Sequence, residues 1–239
     1  MESTVAAALG LGFVLGLRHA LDPDHLVAVS TIVSEHKSLV RSSLVGTFWG
    51  LGHSASLLGV GLVIILLRVS IPETVLPWME APVALMLIVL GVSATRRALG
   101  ERGVQVHTHV HEHGDQPHAH VHVHVGDEHN HMHRMFKLGR RPFAVGLVHG
   151  FAGSAALTLL VLAQIPSVAL GLVYMAVFGI GSIGGMLIMS ALMSLPFVLT
   201  ARRFEAINSG IRLCAGLFSL AFGLMIVWEL LHEVWKTNP

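Results

Sequence analysis

The chain has 239 residues, of which 53% are hydrophobic and only 12% charged, and its mean hydropathy is +0.70. That balance excludes a water-soluble globular fold. Fifteen Lys and Arg against fourteen Asp and Glu give a formal charge of +1, so no overall field points to nucleic acid as a partner. A single cysteine, Cys214, excludes a disulfide framework and a multi-cysteine metal site, which leaves imidazole and oxygen as the available ligands. The count that stands out is 17 His.

A hydrocarbon core of about 30 Å needs roughly 20 helical residues to cross it. Apolar runs of that length fall at 4–33, 42–68, 75–98, 142–165, 167–200 and 206–232. The first run lacks a basic leader and a small-residue cleavage site, so it is expected to be retained. Pro196, near the end of the fifth run, is expected to tilt or break that span. Lys37, Arg41, Arg96, Arg97, Arg102, Arg134, Lys137, Arg140, Arg141, Arg202 and Arg203 fall on one side of a six-span arrangement, and only Arg68 and Lys236 on the other. The positive-inside rule therefore places both termini outside and the long loop 99–140 in the cytoplasm of an inner or plasma membrane protein.

An offset of about 130 residues aligns Phe13-Val-Leu-Gly-Leu-Arg-His19 with Phe143-Ala-Val-Gly-Leu-Val-His149. It also aligns Trp49-Gly-Leu-Gly52 with Phe178-Gly-Ile-Gly181, and Leu90-Gly91 with Phe222-Gly223. Each copy carries three spans, and three is odd, so the second copy lies inverted relative to the first. The expected fold is all-α and polytopic. Its parts are a first three-span repeat (1–98), a cytoplasmic His-rich loop (99–140) and a second three-span repeat (141–239).

The first run contains Arg18-His19-Ala-Leu-Asp22-Pro23-Asp24-His25. Each ionisable group there is unfavourable by a few kcal/mol in hydrocarbon unless paired or ligated. Pro23 clashes with the carbonyl of His19 and donates no hydrogen bond, so the helix is predicted to kink or break at Asp22-Pro23, with Asp22 capping a second half-helix. On a continuous helix His19, Asp22 and His25 share one arc while Asp24 faces elsewhere. Arg18 is available to offset a carboxylate. Nitrogen and carboxylate oxygen together suit a transition metal better than an alkali ion or Mg2+. His53, in Gly50-Leu-Gly-His-Ser-Ala-Ser56, and His149, the repeat mate of His19, are candidates to extend the site. His36 and His232 stand at span ends and read as interfacial.

Eleven more histidines alternate through the loop: His107, His109, His111, His113, His118, His120, His122, His124, His129, His131 and His133. Glu112, Asp115, Asp127 and Glu128 add oxygen donors. Neutral imidazoles in such a tract bind borderline divalent cations, so the loop reads as an auxiliary cytoplasmic acceptor, buffer or sensor of metal that translocation itself does not require.

The string from His19 to His25 fits H-x4-D-H and resembles the signature of the nickel/cobalt transporter family, and Leu51-Gly-His53-Ser54 is similar to that family's second histidine segment. The wider superfamily it resembles includes nickel/cobalt efflux proteins and urease-accessory-type membrane proteins. The resemblance implies transport of Ni2+ or Co2+, bound transiently, with His19, Asp24, His25 and His53 at the site. It implies a divalent metal ion and the lipid bilayer as partners, together with a cytoplasmic metal acceptor, and no resident cofactor. The family usually has eight spans. Its second-half motif carries Asp, Thr and Glu, where this chain reads His149-Gly-Phe-Ala-Gly-Ser-Ala-Ala-Leu157, as in the urease-accessory-type branch. Uptake is the favoured direction, with efflux or membrane metal storage and sensing through the loop as alternatives. An intramembrane enzyme would need a general base beside its ligands, such as H-E-x-x-H, and the chain has none.

Overall fold

In the computed structural model the described residues are 2–36, 38–67, 75, 77–100, 108–112, 117–121, 131–151, 167–201 and 204–237. They form seven α-helices: α1 (Glu2–His19), α2 (Pro23–Val33), α3 (Leu39–Leu67), α4 (Ala81–Gly100), α5 (His131–Phe151), α6 (Val168–Thr200) and α7 (Glu205–Thr237). A turn of 3-10 helix, Pro77–Glu80, leads into α4. Pro77–Gly100, Val168–Thr200 and Ala206–Lys236 are long and apolar enough to cross a membrane, and α1 with α2 makes a fourth such span if the bent pair is counted as one. Residues 152–166, the remainder of the fourth apolar run, lie outside the described residues.

The break in the first span falls where Pro23 requires it. Asp22 is extended at φ −61° and ψ 142°, and the two helices bend by 54°. Asp22 N–H and Leu21 N–H close the end of α1 by donating to the carbonyls of His19 and Arg18, while the Asp22 carbonyl accepts the first bond of α2 from Leu26. α2 is short, 11 residues, and buries seven of them. It packs against α3, α4, α6 and α7, so from His25 onward it is enclosed by the bundle. Pro196 neither breaks nor ends α6, which continues through it to Thr200.

Helix packing rests on glycines at places where a Cβ would strike backbone. A Cβ on Gly16 would meet the Phe178 carbonyl, and one on Gly181 would meet the Phe13 carbonyl, which ties α1 to α6. Gly146 sits in the same way on the Trp49 carbonyl, and Gly52 on that of Phe143, which ties α5 to α3. The α3–α6 pair meets at Gly50 with Ile183 and Gly179 with Ser54, and the α4–α7 pair at Gly91 with Gly216 and Gly223 with Ala84. Each contact has a counterpart under the offset of about 130 residues. The registers run α1 parallel to α6, α6 antiparallel to α3 and α3 parallel to α5, so α1 and α5 run in opposite directions.

Fully buried Trp49, Leu87, Met186, Val29, Val33 and Val45 form the centre. Large apolar side chains such as Leu192, Leu199, Phe218 and Trp228 point outward, the distribution of a body solvated by lipid. Beyond α2, Glu35 forms ion pairs with Arg97 of α4 and Arg141 of α5. Burial beside them holds the His36 imidazole below its usual pKa. The departure from an all-helical chain among the described residues is an antiparallel pair in the loop, β1 (Thr108–Glu112) with β2 (Pro117–Val121). Its register sets His109 opposite His120 and His111 opposite His118. His131 and His133 lie in the first turn of α5, which starts at His131 rather than at 142, where the apolar run begins. His107, His113, His122, His124 and His129 lie outside the described residues.

Candidate metal centre

Four of the six candidate histidines and aspartates are deeply buried at one place. His25 and His53 are 0% exposed, His149 1% and His19 7%, while Asp24 and Asp22 retain 31% and 45% of their side-chain surface. The break brings them together. α1 ends at His19, α2 starts two residues before His25, α3 supplies His53 from its middle, and α5 brings His149 from the opposite direction.

Hydrogen bonds orient the rings. His19 Nδ1 lies 2.7 Å from Asp22 Oδ2. The His25 backbone N–H donates to Asp24 Oδ1 at 3.0 Å, and His25 Nδ1 reaches the same oxygen at 3.1 Å. His149 Nε2 meets the other oxygen, Asp24 Oδ2, at 2.8 Å. The Nε2 atoms of His19 and His53 face one another at 3.0 Å. Ring centroids of His25 lie 4.4 Å from His19, 5.1 Å from His53 and 4.0 Å from His149.

Two sets of three donors lie within 4.8 Å of one another, His19 with His25 and His53, and Asp24 with His25 and His149. His25 belongs to both. Ligands about 2.1 Å from one ion and cis to each other stand roughly 3.0–3.4 Å apart, so the His19–His53 separation is already that of two ligands. His25 Nε2, His53 Nδ1 and His149 Nδ1 are buried without a hydrogen-bond partner. Each such buried nitrogen costs about 1–3 kcal/mol, which a bound cation offsets. With neutral imidazoles, the form that ligates metal, the two carboxylates leave the cluster at −2, the charge a divalent ion balances.

Three features differ from the sequence expectation. Asp24 does not face away: it joins His25 to His149, because the break removes the continuous-helix geometry on which its separate arc rested. Arg18 offsets neither aspartate, being exposed and without an ion pair among the described residues. The third is the apolar lining. Trp49 packs on His25 and His149 with centroids at 5.3 and 5.4 Å, and Phe178, its repeat mate, packs on His19 at 5.5 Å. The signal for Trp49 was its position one turn before His53 on the same helical face. His36 and His232 stay away from the cluster, and His232 stacks on Trp228 in α7.

Fold and site together define a helical membrane protein with a buried imidazole–carboxylate centre suited to a divalent transition metal. Residues 5–203 match the model of the NicO family, described as a high-affinity nickel-transport protein. The chain belongs to this family, so its cargo is a metal ion and it is a transporter rather than an enzyme. It is 37% identical over 226 residues to the urease accessory protein UreH of Bacillus sp. (strain TB-90), covering 93% of this chain and 91% of that one. It is 28% and 27% identical to the chloroplast proteins FOR GROWTH AND FERTILITY 1 and 2 of Arabidopsis thaliana, over 72% and 77% of this chain and 45% and 46% of theirs. No solved structure matches it.

Proposed function

We propose that the protein carries Ni2+, with Co2+ as a second cargo, into the cell across the inner or plasma membrane. The observation that carries this reading is the −2 cluster of buried imidazoles and carboxylates at the helix break, inside an apolar bundle. His19, Asp22, Asp24 and His25 hold the partly dehydrated ion, and His53 and His149 stand beside its path. Trp49 and Phe178 exclude water and lipid from it. The opposed courses of α1 and α5 and the paired glycine contacts support six spans arranged as two inverted three-helix repeats, 1–98 and 141–239. Rocking of one repeat against the other then exposes the centre to each side in turn. With both termini outside, the His-rich loop faces the cytoplasm and receives the ion before a cytoplasmic acceptor takes it.

The test is Ni2+ and Co2+ flux in proteoliposomes of known orientation. His19→Ala is expected to lower flux at least about tenfold, by loss of one ligand, and unchanged flux would sink the site. The sign of the flux separates uptake from efflux. Deleting residues 107–133 is expected to leave flux within about twofold of wild type while shifting the metal concentration at which cells respond. A storage or sensing protein would instead lose its function with the loop.

A further inference from the structure

We propose that the Ser182 hydroxyl is a specificity-determining contact of the transported ion, holding the water that the partly dehydrated ion keeps on the α6 side of the centre. The inference rests on the transport reading and adds to its site a residue that carries no charge. Ser182 is 0% exposed, and its Oγ has no hydrogen-bond partner among the described residues. It is also the repeat mate of His53, because the alignment of Trp49-Gly-Leu-Gly52 with Phe178-Gly-Ile-Gly181 runs on to pair these two residues.

The packing of α6 fixes where that hydroxyl lies. A Cβ on Gly181 or Gly185 would strike Phe13, Leu17 or Ala20, so those positions turn toward α1. Gly179 lies against Ser54 and Ile183 against Gly50, so these turn toward α3. At about 100° per residue Ser182 falls between the two directions, and Ile180, on the far side, is 61% exposed. The same contacts set its height. A Cβ on Gly16 would stand 2.9 Å from the Ser182 nitrogen, and one on Gly50 would stand 2.9 Å from the Ile183 Cα. Gly16 and Gly50 precede His19 and His53 by three residues each. Helical side chains lean toward the N-terminus, over the preceding turn, so both imidazoles lean back to the level of Ser182. These are the rings whose Nε2 atoms face one another at 3.0 Å, and Phe178, one turn before Ser182, packs on the first of them.

A buried hydroxyl without a partner is unfavourable, and a water carried in on the ion supplies one. Serine accepts through two lone pairs, and water polarised by a divalent ion is a strong donor. Zn2+ fills its shell with four ligands, which the imidazoles and carboxylates supply. Ni2+ has further places that water occupies, so the contact at Ser182 favours Ni2+ over Zn2+.

Calorimetric titration of purified full-length protein in detergent micelles, with Ni2+ and separately with Zn2+, tests this. Ser182→Ala is expected to bind Ni2+ about five- to tenfold more weakly and Zn2+ within about twofold of wild type. Without metal it is expected to melt no lower than wild type, since the change removes an unsatisfied buried hydroxyl and little volume. Ser190→Ala is the control. Ser190 is on the same helix, equally buried and also without a partner, but it packs against Gly46, about two turns from His53. That variant is expected to bind both ions as wild type does. Ni2+ affinity of Ser182→Ala within about twofold of wild type, or an equal loss for Ni2+ and Zn2+, would overturn the assignment of Ser182 and leave the transport reading standing. An equal loss of Ni2+ affinity in Ser190→Ala would do the same. A folded wild type that binds no Ni2+ would overturn both.

Discussion

His25→Ala is expected to reduce Ni2+ flux at least about a hundredfold, the largest effect of any single side-chain deletion in the centre. His25 is the one residue common to both sets of donors, and it contacts the rings of His19, His53, His149 and Trp49. Its removal takes away a ligand and one of the two rings that hold Asp24, which keeps His149 and the backbone N–H of residue 25. The measurement is initial 63Ni uptake into proteoliposomes normalised to inserted protein. Flux within tenfold of wild type would mean that the ion crosses elsewhere.

The second large effect concerns packing. Gly16→Leu is expected to lower thermal stability in micelles by ten degrees or more and to abolish flux, because a side chain there strikes the carbonyl of Phe178 and the backbone of Ser182. Overpacking a core ordinarily costs about 1–3 kcal/mol, and backbone yields less easily than a side chain. Its repeat mate gives an independent check: Gly146→Leu meets the Trp49 carbonyl and should behave alike. Gly10 is the internal control, since nothing lies within 4 Å of a Cβ placed there, and Gly10→Leu should melt as wild type does. Similar melting of Gly16→Leu and Gly10→Leu would refute the close α1–α6 approach.

The sequence made the centre legible in its composition but not in its geometry. Five ionisable groups in eight residues of an apolar run demanded a functional reason, and Pro23 located the break to the residue. The position of Asp24 is not legible from a fixed angle per residue, which presumes one straight helix, and Pro23 ends that helix one position earlier. That Arg18 offsets neither aspartate is not legible either, because sequence proximity says nothing about which way a long side chain points at a helix end. His149 is legible through the repeat, as the mate of His19, and His53 through the small residues that flank it. Trp49 entered the repeat alignment but not the site, since a tryptophan in an apolar helix carries no chemical signature of its own. In the loop, histidine alternating with valine and other residues is a period of two, and β1 and β2 use that periodicity.

The pairing of helices across the two halves bears on how the protein is made. The extensive contacts, α1 with α6, α3 with α5, α3 with α6 and α4 with α7, each join the first half to the second. When the first half leaves the ribosome, its glycine-lined faces and the polar residues around Asp24 have no partners, and the loop must be synthesised before any arrive. The half-made chain is therefore a substrate for membrane quality control, and a stop codon within the loop should yield a product that is degraded rather than a smaller transporter. Neither half carries all of the buried histidines by itself, since His19, His25 and His53 come from the first and His149 from the second.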